Sequence, residues 1–171
     1  MDWGLIVLRI LHVGSAMAWF GGAIMGSFFL QPTVKALGPK AQPFMDYLVT
    51  QRRLGVFFPV VAGLTILSGA ALFWRDSGGL QLSWITTPTG LAFTIGALAG
   101  IASFVLGGIL IGPSVAEKTS VQNELAASGG EPSEVQRERL ARADRRMQLA
   151  DRIDLPLLFT AGLLMAVARY L

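Results

Sequence analysis

Four stretches of the chain contain no Asp, Glu, Lys or Arg: residues 13–34, 54–74, 77–116 and 155–168. Within them apolar side chains run almost continuously. The short in–out alternation of a membrane barrel is absent. Runs of this kind approach or exceed the ~20 residues an α-helix needs to cross the hydrocarbon of a bilayer. A backbone in lipid must satisfy its own hydrogen bonds, and for such runs that means helix. The pattern therefore predicts an all-α protein, a four-helix transmembrane bundle. Its spans are about 3–30, 54–74, 88–112 and 154–170, within one integral membrane domain covering 1–171.

The first span contains Ala16-Met17-Ala18, the small-x-small form of a signal-peptide cleavage site. Ahead of it stands Asp2 rather than a basic cluster, and the apolar run continues to Leu30. It reads as a retained helix.

Between spans three and four the pattern changes. Residues 113–153 hold most of the charge, and Val115 to Ala127 reads as a helical continuation of span three. Ser128-Gly129-Gly130 stops that helix. Pro132-Ser133 starts another, with Ser133 and Gln136 spaced as a capping box. Leu140, Ala143, Met147 and Ala150 then recur at heptad-like spacing. A cytoplasmic helical hairpin is expected, returning into span four near Pro156, with Asp154 as the N-cap of that span. Its arginines stand among Glu138, Asp144 and Asp151, the pattern of a solvated face or of a surface that meets a partner or anionic head groups.

Composition sharpens the class. Of 171 residues, 53% are hydrophobic and 15% charged, against about 25% charged in soluble domains. A soluble enzyme is excluded. The lack of cysteine removes disulfide frameworks and Cys-ligated metal sites. Eleven of the fourteen basic residues fall in the two segments joining spans one to two and three to four. By the positive-inside tendency these segments face the cytoplasm, which places both termini outside a bacterial inner membrane. Trp3, Trp74, Trp84 and Tyr170 would form an aromatic belt on the outer side. The net charge of +3 reports topology, not nucleic-acid binding.

Candidate chemistry concentrates in the first helix. His12 is the sole histidine. It stands nine residues after Trp3, roughly 13 Å below the outer interface at 1.5 Å per residue. Arg9, Ala16 and Trp19 share its helix face. An ionisable residue at that depth is a site hypothesis. The alternatives are a hydrogen-bonded structural histidine, a ligand to haem or another pigment, and a metal or proton-relay role. Arg9 reads as a snorkelling anchor or as a partner for a carboxylate such as a haem propionate. Gly14, Ala18, Gly22 and Gly26, four apart, form a small-residue ridge that admits a close neighbouring helix. Gly96 and Gly100 repeat it in span three. These two faces place helix one at the centre of the bundle.

The string Leu11-His12-Val13-Gly14-Ser15-Ala16-Met17-Ala18-Trp19-Phe20-Gly21-Gly22 resembles the opening of copper-resistance protein D-like membrane proteins and related bacterial families. More distantly it resembles the haem-linked protoporphyrinogen oxidase family. Leu64-Thr65-Ile66-Leu67-Ser68-Gly69 is similar to the segment that follows in such proteins. The resemblance covers about the first 75 residues. It implies a helical bundle whose first-helix histidine, here His12, faces haem b or copper; the helix-face spacing would set Arg9 and Trp19 beside such a group. The chain supplies no second histidine, and its six methionines are scattered. The expected function is thus a non-catalytic membrane protein of this type, embedded in lipid and acting as a homo-oligomer or with a partner. A haem- or copper-linked redox protein and a small carrier or channel are the alternatives.

Overall fold

A computed structural model describes residues 1–171, the side chain of Pro39 excepted. Every regular element is helical. Four long helices carry the fold: α1 (Trp3–Leu37), α2 (Leu54–Asp76), α3 (Pro88–Ser128) and α4 (Glu134–Tyr170), and each is long and apolar enough to span a membrane. This is an integral membrane protein built as an all-α bundle. Short helical turns over Gln42–Asp46 and Leu82–Ile85 lie in the connections.

Local chemistry sets where the helices bend and stop. In α1 and α3 the backbone widens to a π-helical turn over Gly26–Leu30 and Gly107–Ile111. Each turn precedes a proline, Pro32 or Pro113. Proline lacks the N–H for the i−4 carbonyl and its ring crowds that oxygen, and a wider turn absorbs both defects. The end of α3 is fixed by Gly129 at φ 65°, whose N–H reaches the Leu125 carbonyl. Glycine meets no Cβ penalty in that left-handed conformation. At the start of α4, Ser133 and Gln136 form the expected capping box, each side chain accepting from the other's backbone N–H.

The helices associate as two antiparallel pairs, α1 with α2 and α3 with α4, and the pairs meet sparingly. Where they meet, Trp19 packs with Ala62 and Leu158 in a small core, flanked by Phe20, Ala23 and Phe58. Phe20 and Phe159 contact edge to face at 4.9 Å. Helix one is not central, as the sequence suggested. Only 6% of its most apolar window is buried, against 28% for α2 and 22% for α3 and α4. Of the glycines in its small-residue ridge, Gly22 alone meets a neighbour closely, with Phe58 where a Cβ would stand; Gly14 and Gly26 face open space. In α3, Gly96 does admit its neighbour, lying against Met165 and Ala161 of α4, whereas nothing stands where a Gly100 Cβ would project.

A further expectation is corrected. Helix four does not begin at Asp154: α-helix runs unbroken over Glu134–Val167, through Pro156. The carbonyl that Pro156 leaves unpaired belongs to exposed Arg152, where the interfacial region can solvate it, so no helix stop is needed. Trp84, half-buried, stacks on Phe93 and meets Phe73 edge to face. Trp3, Trp74 and Tyr170 are exposed near one end of the molecule.

The hairpin is the distal half of the α3/α4 pair. Ala143 and Ala150 of the heptad-like stripe are fully or almost fully buried, opposite Val121 and Ser114. Outside this seam Arg139 pairs with Glu117 at 2.5 Å and Glu124 at 2.8 Å, and Lys118 pairs with Asp144 at 2.5 Å.

Candidate functional sites at the helix interfaces

His12 leans from α1 onto α2. Its Nδ1 donates to the Thr65 carbonyl at 2.9 Å, which fixes the proton on Nδ1 because a carbonyl can only accept. The ring lies over Gly69: a Cβ built there would come within 2.7 Å of His12 Cε1 and 3.0 Å of Nδ1. Glycine at 69 is therefore what lets the imidazole reach the backbone of α2. One turn along α1, the Ser15 hydroxyl stands 2.9 Å from that of Thr65, and Ser15 Oγ donates to the Leu11 carbonyl at 2.6 Å. A strip of polar groups thus threads an otherwise apolar α1/α2 seam.

With Nδ1 engaged by the carbonyl, Nε2 is the other ring nitrogen. It makes no hydrogen bond among the described residues, and no buried side-chain N or O atom is left unpartnered among them. Nε2 therefore opens toward the surface of the bundle. This is how a protein presents an imidazole to a metal or haem iron: one nitrogen tied to a carbonyl, the other free.

The residues the sequence grouped with His12 are not gathered around it. Arg9 is exposed and makes no ion pair among the described residues. Trp19 is 8% exposed and belongs to the core with Ala62 and Leu158. Met17 and Met25 point outward, at 70% and 60% exposure, and Met165 lies against Gly96 on the α3/α4 side. One chain thus offers one ligand. Within one chain this leaves a haem five-coordinate, and a six-coordinate haem or a copper ion would need a further ligand from outside it.

A second polar cluster was not foreseen as such. Asp154, expected as an N-cap, is inside α4 and only 8% exposed. It accepts a hydrogen bond from Ser103 of α3. One turn earlier, Asp151 accepts from Gln31 Nε2 at 3.0 Å and Ser27 Oγ at 3.4 Å, both of α1. These two carboxylates tie α4 to both neighbours. In the sequence Ser27, Gln31 and Ser103 look like ordinary tolerated polar residues of apolar runs, and only their meeting with α4 distinguishes them.

At the opposite end Asp2 caps α1, accepting from the Leu5 N–H at 3.1 Å, and pairs with Arg75 at the end of α2. The guanidinium holds the Asp2 carboxyl below its ordinary range. Arg75 is thus a clasp between the ends of the first helix pair.

Comparison of the chain with protein-family models, with curated proteins and with solved structures finds no match.

Proposed function

We propose that this is a non-catalytic membrane protein of the copper-resistance-D-like type, which works as an oligomer or as a subunit beside a membrane partner. The observation that carries the reading is His12: an ionisable side chain at membrane depth, on the least buried helix, with Nε2 left open to the outside of the bundle. Ionisable groups within a bilayer face a protein interior or a partner rather than acyl chains. A second chain against α1 supplies that environment. The placement in a bacterial inner membrane, with both termini outside the cytoplasm, rests on the distribution of Lys and Arg.

The same geometry supports a second reading, a haem- or copper-linked protein with Nε2 as one ligand and the next contributed across the oligomer. When bound, such a group would supply one-electron chemistry. His12 would hold it, and the Thr65 carbonyl would keep the imidazole oriented.

Two measurements on protein purified in mild detergent test both readings. Light scattering gives the oligomeric state, and an associated or partner-bound species is expected; a bare monomer retaining full native behaviour overturns the first reading. A visible spectrum, oxidised and dithionite-reduced, tests the second. A Soret band lost in His12→Ala makes His12 the ligand, whereas a featureless spectrum with negative metal analysis removes it.

A further inference from the structure

Between Arg139 and Arg152 the arginines of α4 divide into two groups. Arg139 is engaged by Glu117 and Glu124. Arg142, Arg145, Arg146 and Arg152 are exposed and make no ion pair or hydrogen bond among the described residues. Their spacing puts all four on one broad face of the helix. The acids that might have neutralised them are used elsewhere: Asp144 by Lys118, and Asp151 by Ser27 and Gln31. Glu138 and Glu134, one and two turns farther from the membrane than Arg142, are the carboxylates left on that face.

Beside this face lies a cavity of about 240 Å³ between α3 and α4, lined by Ser114, Glu117, Arg139, Arg142, Ala143 and Arg146. The one carboxylate in it, Glu117, is already paired with Arg139. A second, shallower hollow adjoins Arg145 and Arg152.

Depth identifies the occupant. Gly22 of α1 faces Phe58 of α2, and Asp151 of α4 meets Ser27 of α1, so Ser27, Arg53 and Asp151 lie near one level. On α2 and α4 charge first reappears at that level, while α1 and α3 run on without charge to Lys35 and Glu117, so the edge of the hydrocarbon lies at that level or above it. Arg152 stands at that level. Arg146 and Arg142 rise about 8 and 14 Å above Asp151 at 1.5 Å per residue, which brings their long side chains to the ~5–7 Å head-group layer and its aqueous border.

We propose that the groove bounded by Ser114, Arg142 and Arg146, with Arg145 and Arg152 beside it, seats phosphate head groups of anionic phospholipids in the leaflet from which the hairpin emerges. The guanidinium fork matches phosphate oxygens two at a time. The inference rests on the membrane placement alone and is independent of which face is cytoplasmic. The lipid serves as a structural ligand of the hairpin, bridging the helix pair to its leaflet.

Native mass spectrometry of the full chain in detergent, titrated with phosphatidylglycerol, phosphatidylcholine or inorganic phosphate, tests this. Phosphatidylglycerol is expected to be retained in preference to phosphatidylcholine. Attraction of about 1 kcal/mol per arginine near an anionic surface corresponds to about thirtyfold weaker retention in Arg142→Gln/Arg146→Gln. Arg142→Lys/Arg146→Lys should recover part of it, and Arg169→Gln at the far end should leave it unchanged. A circular dichroism melt of each variant shows that the fold persists. Equal retention of the two lipids, or of phosphatidylglycerol by wild type and the Gln variant, overturns the proposal. Displacement of the lipid by millimolar inorganic phosphate overturns it in favour of a free anion. A copurifying polypeptide lost in the Gln variant while lipid retention stays unchanged overturns it in favour of a protein partner.

Discussion

The His12 imidazole rests on Gly69, with its Nδ1 hydrogen 2.9 Å-bonded to the carbonyl of Thr65 one turn earlier on the same helix. The two residues are a matched pair. A histidine on α1 reaches the α2 backbone because position 69 carries no side chain, and the missing side chain leaves space that only a ring from α1 fills.

A methyl group at position 69 should therefore push the imidazole from its carbonyl. Gly69→Ala is expected to lower stability by about 1–3 kcal/mol, the usual cost of overpacking. In His12→Ala the same substitution should cost far less, because the ring it strikes is gone. Unfolding of the four proteins in mixed micelles measures the coupling; additive losses would show that the two residues act independently.

Asp154 and Ser103 should also be coupled, though modestly. Interhelical hydrogen bonds in membranes average about 0.6 kcal/mol and reach about 1.7. A double-mutant cycle of Asp154→Ala and Ser103→Ala should return a value in that range. Asp154→Asn, which keeps an acceptor for the serine hydroxyl, should unfold close to wild type in the same assay.

The hairpin should loosen in acid. Arg139 and Gln136 hold the Glu124 carboxyl below its ordinary range. A carboxylate with a depressed folded pKa contributes stability that is complete above its unfolded pKa and disappears as pH falls through the folded one. Protection of hairpin amides, followed by hydrogen exchange, should hold from neutral pH to about 5 and fall below about 4. Glu124→Gln should flatten that dependence. An unchanged acid limb would dissociate the pair from hairpin order.

Gly129 and Ser133 set the two ends of the turn at the hairpin tip. Gly129→Ala places a Cβ at φ 65° and should cost about 1 kcal/mol. Ser133→Ala removes one arm of the capping box and should cost about 0.5–2 kcal/mol. Both losses should appear as faster exchange at the tip, with the membrane-embedded amides unaffected.

The four spans, the Gly129 stop, the Ser133–Gln136 cap and the buried Ala143 and Ala150 were legible in the sequence, because each is a local signal. Charge-free runs mark lipid, a left-handed glycine marks a helix end, and heptad spacing marks a seam. The position of α1 was not legible. In lipid, an apolar surface suits acyl chains as well as another helix, so a ridge of glycines does not say whether it is used. Gly22 meets Phe58 while Gly14 meets nothing, and only the placement of α2 distinguishes them. Asp154 misled for a related reason. A charge beside a proline at the rim of an apolar run has the look of a helix start, yet its real partner, Ser103, lies fifty-one residues away.

The unbroken course of α4 has a mechanical meaning. A rod of 37 residues, about 55 Å long, joins the tip of the hairpin to the far face of the membrane. Pro156 is its sole interior proline, close to where the rod enters lipid. No loop lies along it to soak up a displacement. The hairpin and the final span are thus one continuous helix, held to α1 and α3 where it enters lipid by Asp151 and Asp154.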